Sequence, residues 1–210
     1  MKKFIPVMII GLIISMAVSS YFNRVESALS DNVLRLHVIA NSDSDFDQQL
    51  KLKVRDKILQ RSDSIFSKKS DISEAKKNIK DNLEEIEKIA RAEVAANGCD
   101  YPVKVTFGKS DFPTKAYGNV TLPAGTYEAL KVEIGEAKGK NWWCVMFPPL
   151  CFVDASSPEM SAEAMAMLKD NLSEDEYALI TNSENKNVEI KFKAYEIWQS
   201  GKNKVKLLMK

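Results

Sequence analysis

The chain has 210 residues, 45% of them apolar, and its 30 basic and 29 acidic side chains leave a net charge of +1. That is enough material for one domain with a proper core, or at most two small ones. The near-neutral balance, with no basic stripe interleaved with aromatics, argues against nucleic acid as a partner.

The chain opens with Met1-Lys2-Lys3 and then an apolar run over residues 4–18. Ala17-Val18-Ser19 supplies the spaced small residues of a cleavage site, which completes a secretory signal pattern. The run is shorter than the roughly 20 residues of a comfortable transmembrane helix. Tyr21 and Phe22 would extend it as an interfacial belt if it stays on as an anchor. Residues 1–22 are therefore expected to be a signal peptide or an N-terminal anchor, and residues 23–210 a single exported domain. Without the two leader lysines the remainder carries a charge of about −1.

Residues 23–32 read as a polar link. Residues 33–40 alternate as a strand, with Leu34, Leu36, Val38 and Ala40 on one face and Arg35, His37 and Ile39 on the other. Asn41-Ser42-Asp43 predicts a helix cap, followed by an acidic first turn and a buried stripe of Phe46, Leu50, Val54 and Ile58. A polar loop over 61–70 leads to a second helix from about Ile72, with Asp71 and Glu74 spaced like a capping box. Its inner face is Ile79, Leu83, Ile86, Ala90 and Val94, and Asn97-Gly98 stops it. Val103, Val105 and Phe107 begin a strand that the 108–113 region ends.

Residues 117–154 hold two of the three tryptophans, two of the three cysteines and three of the seven prolines. Pro123-Ala124-Gly125 is a turn, residues 127–134 alternate as a half-buried strand, and residues 135–139 reverse the chain. Residues 142–147 form a strand with bulk on both faces, ended by Pro148-Pro149. Cys144 and Cys151 flank this bend and are expected to come within disulfide distance, which leaves Cys99 free. Such a bond would close a loop around Phe147, Pro148, Pro149 and Leu150, taken here as an exposed apolar tip.

A short helix over 160–168, a polar link over 181–187 and a late strand through Val188, Ile190 and Phe192 complete the pattern. Residues 195–198 fit helix or strand equally. The expectation is an α+β fold: a first strand, two helices, and a mainly antiparallel sheet formed by later strands on which they pack. The basic tail Lys202, Lys204, Lys206 and Lys210 reads first as a solvated end. Against an anionic membrane surface each lysine would contribute up to about 1 kcal/mol.

Two blocks carry a resemblance. NWWCVMFPPLCFVD (141–154), with YGNVTLPAGTYEALKVEIG (117–135) before it, resembles the signature of the stage II sporulation protein R family. LRLHVIANSDSDFDQQLKLKVRDKIL (34–59) resembles that family's other hallmark. The resemblance implies a protein made in the forespore of endospore-forming bacteria and exported into the space between two membranes. There it would signal to a membrane-embedded protease that processes the precursor of sigma factor E. Neither a cofactor nor a small-molecule substrate is expected.

His37 is the only histidine. A general base needs an orienting carboxylate and a nucleophile, which Asp43, Asp45 or Asp47 and Cys144 or Cys151 would have to supply. A half-buried strand histidine is the plainer account. Asp43-Ser44-Asp45-Phe46-Asp47 starts like a calcium loop, but Gln48 and Val54 occupy the positions that need Gly and Glu. Zinc spacing and phosphate-binding glycine motifs are missing. Trp142, Trp143, Phe147, Pro148, Pro149 and Leu150 are the expected partner-binding group, because aromatics buried at a contact carry much of its energy. The sequence thus favours an exported, non-enzymatic activator. The rivals are a cell-envelope hydrolase using His37 with Cys144 or an aspartate, and a plain envelope-binding module.

Overall fold

The computed structural model describes residues 29–65, 71–151 and 162–181, together with residues 9, 11–13, 15, 16, 20 and 27. The expected late strand over 188–192, residues 195–198 and the basic tail lie outside the described residues.

The order is β1 (Leu34–Ile39), α1 (Asp45–Ile65), α2 (Ile72–Asp81), α3 (Leu83–Ala96), β2 (Val103–Phe112), β3 (Lys115–Tyr117), β4 (Val120–Leu122), β5 (Gly125–Ile134), β6 (Asn141–Phe147), α4 (Ala162–Asn171) and α5 (Glu174–Thr181). The fold is α+β. Its four-stranded sheet has the order β2-β5-β1-β6, and β3 and β4 form a separate two-stranded hairpin. β1 pairs parallel with β5 and antiparallel with β6, and β2 pairs antiparallel with β5 along its whole length.

The first strand is therefore an interior strand of the sheet, which explains why all six of its residues are buried. Helices α1–α3 pack on one face of the sheet and against each other. Leu36, Val38, Leu50, Val54, Ile58, Ile79, Ile86, Ala90, Val94, Leu130 and Val132 belong to the resulting core. Arg55 stacks on Trp142 and Lys80 on Phe107, which places those two strand residues on the helical face. Because side chains alternate across a strand, Arg35, His37, Lys131 and Trp143 share the opposite face.

Several expectations are corrected. Helix α1 runs through Ile65, into the stretch expected as loop, and Ser44 caps it: its hydroxyl accepts the Asp47 N–H at 3.2 Å. Phe46 is 51% exposed, whereas the neighbouring Asp47 and Lys51 are buried. The second helix is two helices broken at Asn82, whose amide donates to the Asn78 carbonyl at 2.7 Å and competes with the helical ladder. β2 continues through Gly108 to Phe112, because ten successive residue pairs with β5 hold it extended. The β3–β4 hairpin and helix α5 have no counterpart in the expected element list. Residues 29–32 are helical rather than a link, with Leu29 fully buried. The N-cap half of the expected capping box at α2 is present: the Asp71 carboxylate accepts the Glu74 N–H at 2.8 Å. Among the described residues no helix is long and apolar enough to cross a membrane.

Candidate functional site

The tip that ends β6 is built differently from the expectation. Cys144 and Cys151 are bonded, with Cα atoms 5.1 Å apart, and Cys99 is free. The loop they close does not project an apolar tip, however. Phe147 and Leu150 are each 1% exposed and belong to the core, Pro148 is buried, and only Pro149 is exposed. The reason is the chain reversal: the Leu150 N–H returns to the Val145 carbonyl at 3.0 Å and folds the apolar side chains inward. Closing so short a loop stabilises the domain by about 2.5 kcal/mol in the chain-entropy model. Non-denaturing reduction, or the Cys144→Ser, Cys151→Ser pair, is expected to lower the urea midpoint accordingly; an unchanged midpoint would remove the disulfide from the stability account.

A second constellation joins the two hallmark blocks. The turn after β5 sits on the β1–α1 loop. Asn41 Oδ1 accepts the Glu136 N–H at 2.9 Å, the Asn41 carbonyl accepts from Lys138 N–H at 3.1 Å, and the Ala40 carbonyl accepts from Gly139 N–H at 2.9 Å. Asp43 accepts the Lys140 N–H at 2.7 Å, and buried Lys51 donates to the Lys140 carbonyl at 2.9 Å. Asp47 accepts from Asn41 at 2.9 Å and from Ser42 at 2.5 Å. Burial raises the Asp47 pKa, but the bonds from Ser42, Asn41, Ser44 and Tyr101 outweigh it and hold the carboxyl below its usual range. The acidic run is thus a loop lock. Among the described residues no cluster of three or more metal-capable side chains occurs.

His37 lies at the centre of the non-helical sheet face. Its Nε2 is 2.7 Å from the Asn141 side-chain oxygen, which therefore accepts the imidazole proton and leaves Nδ1 as an acceptor facing Ser110 Oγ at 3.5 Å. The ring stacks on Trp143 and tilts against Phe112, each with centroids 5.8 Å away. Lys115 lies over the other ring system at 5.1 Å from the Trp143 centroid. Of the partners expected for the hydrolase rival, Cys144 and Cys151 are disulfide-bonded to each other, Asp47 is committed to Asn41 and Ser42, and Asp43 accepts the Lys140 N–H. The serine and the amide that do flank His37 were missed, because they sit 73 and 104 residues away in sequence. Only the register of β2 and β6 brings them in.

Burial lowers the His37 pKa, with Lys131 and Arg35 adding to the effect, while the Asn141 bond and Glu133 oppose it. A folded-state value below the unfolded one means that the unfolded chain binds the extra proton more readily. The neutral ring's contribution is complete above the ordinary histidine range and is lost as pH falls through it. Thermal midpoints should therefore fall between about pH 7.5 and 5, and less steeply for His37→Gln. Parallel pH profiles for the two proteins would show that His37 is not the titrating group.

Arg35, two residues before His37, is 0% exposed. Its guanidinium lies 4.0 Å from the Phe112 ring centroid and 4.7 Å from that of Tyr127, and Nη2 donates to the Tyr117 hydroxyl at 2.9 Å. Tyr117 in turn donates to the Trp143 carbonyl at 3.3 Å. Burial pushes the Tyr117 phenol up, against the pull of Arg35. No signal in the sequence set Arg35 apart from any other alternating strand residue.

Comparison with known proteins gives the geometry a family. Residues 30–157 match the family described as stage II sporulation protein R, a span that contains β1 through β6 and both hallmark blocks. The chain belongs to the stage II sporulation protein R family. A relative named "Stage II sporulation protein R" from Bacillus subtilis (strain 168) is 44% identical over 135 residues. That alignment covers 64% of this chain and 60% of the relative. No solved structure matches the chain. The stage II sporulation protein R region therefore coincides with the mixed sheet, its three helices and the disulfide-closed loop.

Proposed function

We propose that this chain is an exported sporulation signal that activates a membrane-embedded protease across the intermembrane space and so triggers processing of the sigma factor E precursor. The observation that carries the reading is the family match over residues 30–157. The secretory pattern at the N-terminus supports it. In mechanism the chain works by binding. It favours the active conformation of the protease over the resting one, and a shift from 1:99 to 99:1 takes about 5.5 kcal/mol of preferential binding. Of the six aromatic, proline and leucine residues expected to make that contact, Pro149 is exposed and Trp142 and Trp143 are half-buried, so these three can present surface. Reconstituting the full chain with the candidate protease in vesicles, and following precursor cleavage, tests the reading directly. Cleavage that rises with added chain is expected; a protease equally active without it would end the proposal.

One observation favours a second reading. Ser110, His37 and Asn141 form a hydroxyl–imidazole–amide line in which the amide fixes the tautomer that leaves a neutral base facing the serine. This is the rival hydrolase with a different cast. Ser110→Ala separates the two: a binding signal keeps its activity, whereas a serine hydrolase loses nearly all of it with the fold intact.

A further inference from the structure

Arg35 is a fully buried cation with no carboxylate against it among the described residues. Aromatic rings cover its faces, Tyr117 takes one nitrogen, and Nε and Nη1 have no hydrogen-bond partner. An isolated buried charge is costly, and buried guanidinium donors are ordinarily paired. On the same face the buried indole Nε1 of Trp143 also lacks a partner. Three buried donor atoms on this face, Nε and Nη1 of Arg35 and Nε1 of Trp143, thus have no hydrogen-bond partner. Cation–π contact offsets part of the charge but satisfies no N–H.

Among the described residues, part of the cover over this cluster is the β3–β4 hairpin, which is held by the fully buried Val120 and Leu122 and by contact of β4 with α5. Tyr117 comes from the β3–β4 hairpin, whose strands are three residues each and are not paired to the main sheet. Pro113 and Pro123 bracket it, and Gly118 turns it at φ 57°. A two-stranded hairpin of that size is marginal by itself. Its own base adds Lys115, over the Trp143 ring, while Lys131 on the same sheet face is already paired to Glu133 at 2.7 Å.

We propose that Arg35 is the anchor of a carboxylate-binding site, filled by an acidic side chain of a protein partner when the β3–β4 hairpin lifts. The carboxylate accepts from the free guanidinium nitrogens and the Trp143 indole in place of the Tyr117 cover. Lysine would not substitute, because it offers a point charge rather than a planar set of donors. The inference deepens the signalling reading and rests on it only for the identity of the partner.

The test uses the full chain, with acetate and N-acetyl-aspartate methylamide as probes against chloride at equal ionic strength, read by thermal unfolding and tryptophan emission. The wild type is expected to melt a few degrees higher in carboxylate. Arg35→Met should melt at or above the wild type in chloride and gain nothing from the probes. Tyr117→Phe should respond at a lower probe concentration, because the cover is loosened. A wild type that responds no more to carboxylate than to chloride overturns the site, as does an Arg35→Met variant that responds like the wild type. If Arg35→Met does not fold, the wild-type titration and the Tyr117→Phe shift decide alone. Acetate acting as strongly as the aspartyl probe assigns the site to small carboxylates and overturns the protein side chain as its ligand. Failure of protease activation with a normal carboxylate response sinks only the protease reading, and the reverse pattern sinks only this site.

Discussion

Phe147→Ala is expected to cost about 3–5 kcal/mol of stability, the usual range for emptying a buried aromatic position. The ring is 1% exposed and belongs to the hydrophobic core, at the end of β6 where it meets Leu34 of β1. In a domain of this size the thermal midpoint should fall by about 10 °C. Pro149→Ala, at the exposed position of the same loop, should leave the midpoint nearly unchanged. The pair divides the loop into its structural and its recognition parts. Lost activation in Phe147→Ala says only that the fold has weakened, whereas lost activation in Pro149→Ala points to a contact. Calorimetry showing Phe147→Ala within a degree of the wild type would take the ring out of the core.

Gly139→Ala is the second large effect, at about 3 kcal/mol. A Cβ at this position would stand 2.1 Å from the Ser42 carbonyl oxygen and 2.5 Å from its carbon, both backbone atoms that cannot swing aside. Relief requires the turn after β5 to lift off the β1–α1 loop, which gives up the Gly139 to Ala40 and Lys140 to Asp43 bonds together. Gly135→Ala strikes the same lock from its other end. Gly135 has φ 60°, and its added Cβ would meet the Asn41 side chain at 2.2 Å. Because both changes break one interface, their double variant should cost clearly less than the sum. Additive costs in urea titrations would mean that the two glycines belong to separate contacts.

These results turn on where two sequence blocks meet, and that is where reading the chain alone stopped. Local signals were decisive for local structure. Alternation marked β1 and β5, the Asp71–Glu74 spacing marked the start of α2, and two cysteines around a proline bend gave the disulfide. The hallmark blocks gave the family. Burial of Phe147 and Leu150 was not legible, since apolar residues beside two prolines suit a projecting tip and an inward fold equally well. Nor was the parallel pairing of β1 with β5, about 95 residues apart along the chain.

The sequence by itself determined the secretory pattern, the family, most element positions and the cysteine pairing, because each depends on neighbours within about ten residues or on a contiguous motif. Only the tertiary structure decided the site. Sheet register placed Ser110 and Asn141 on His37, stacked Trp143 beside them, and buried Arg35 with two of its nitrogens lacking a hydrogen-bond partner. Those relations join strands distant along the chain, and no local preference of a residue encodes which distant strand will lie beside it.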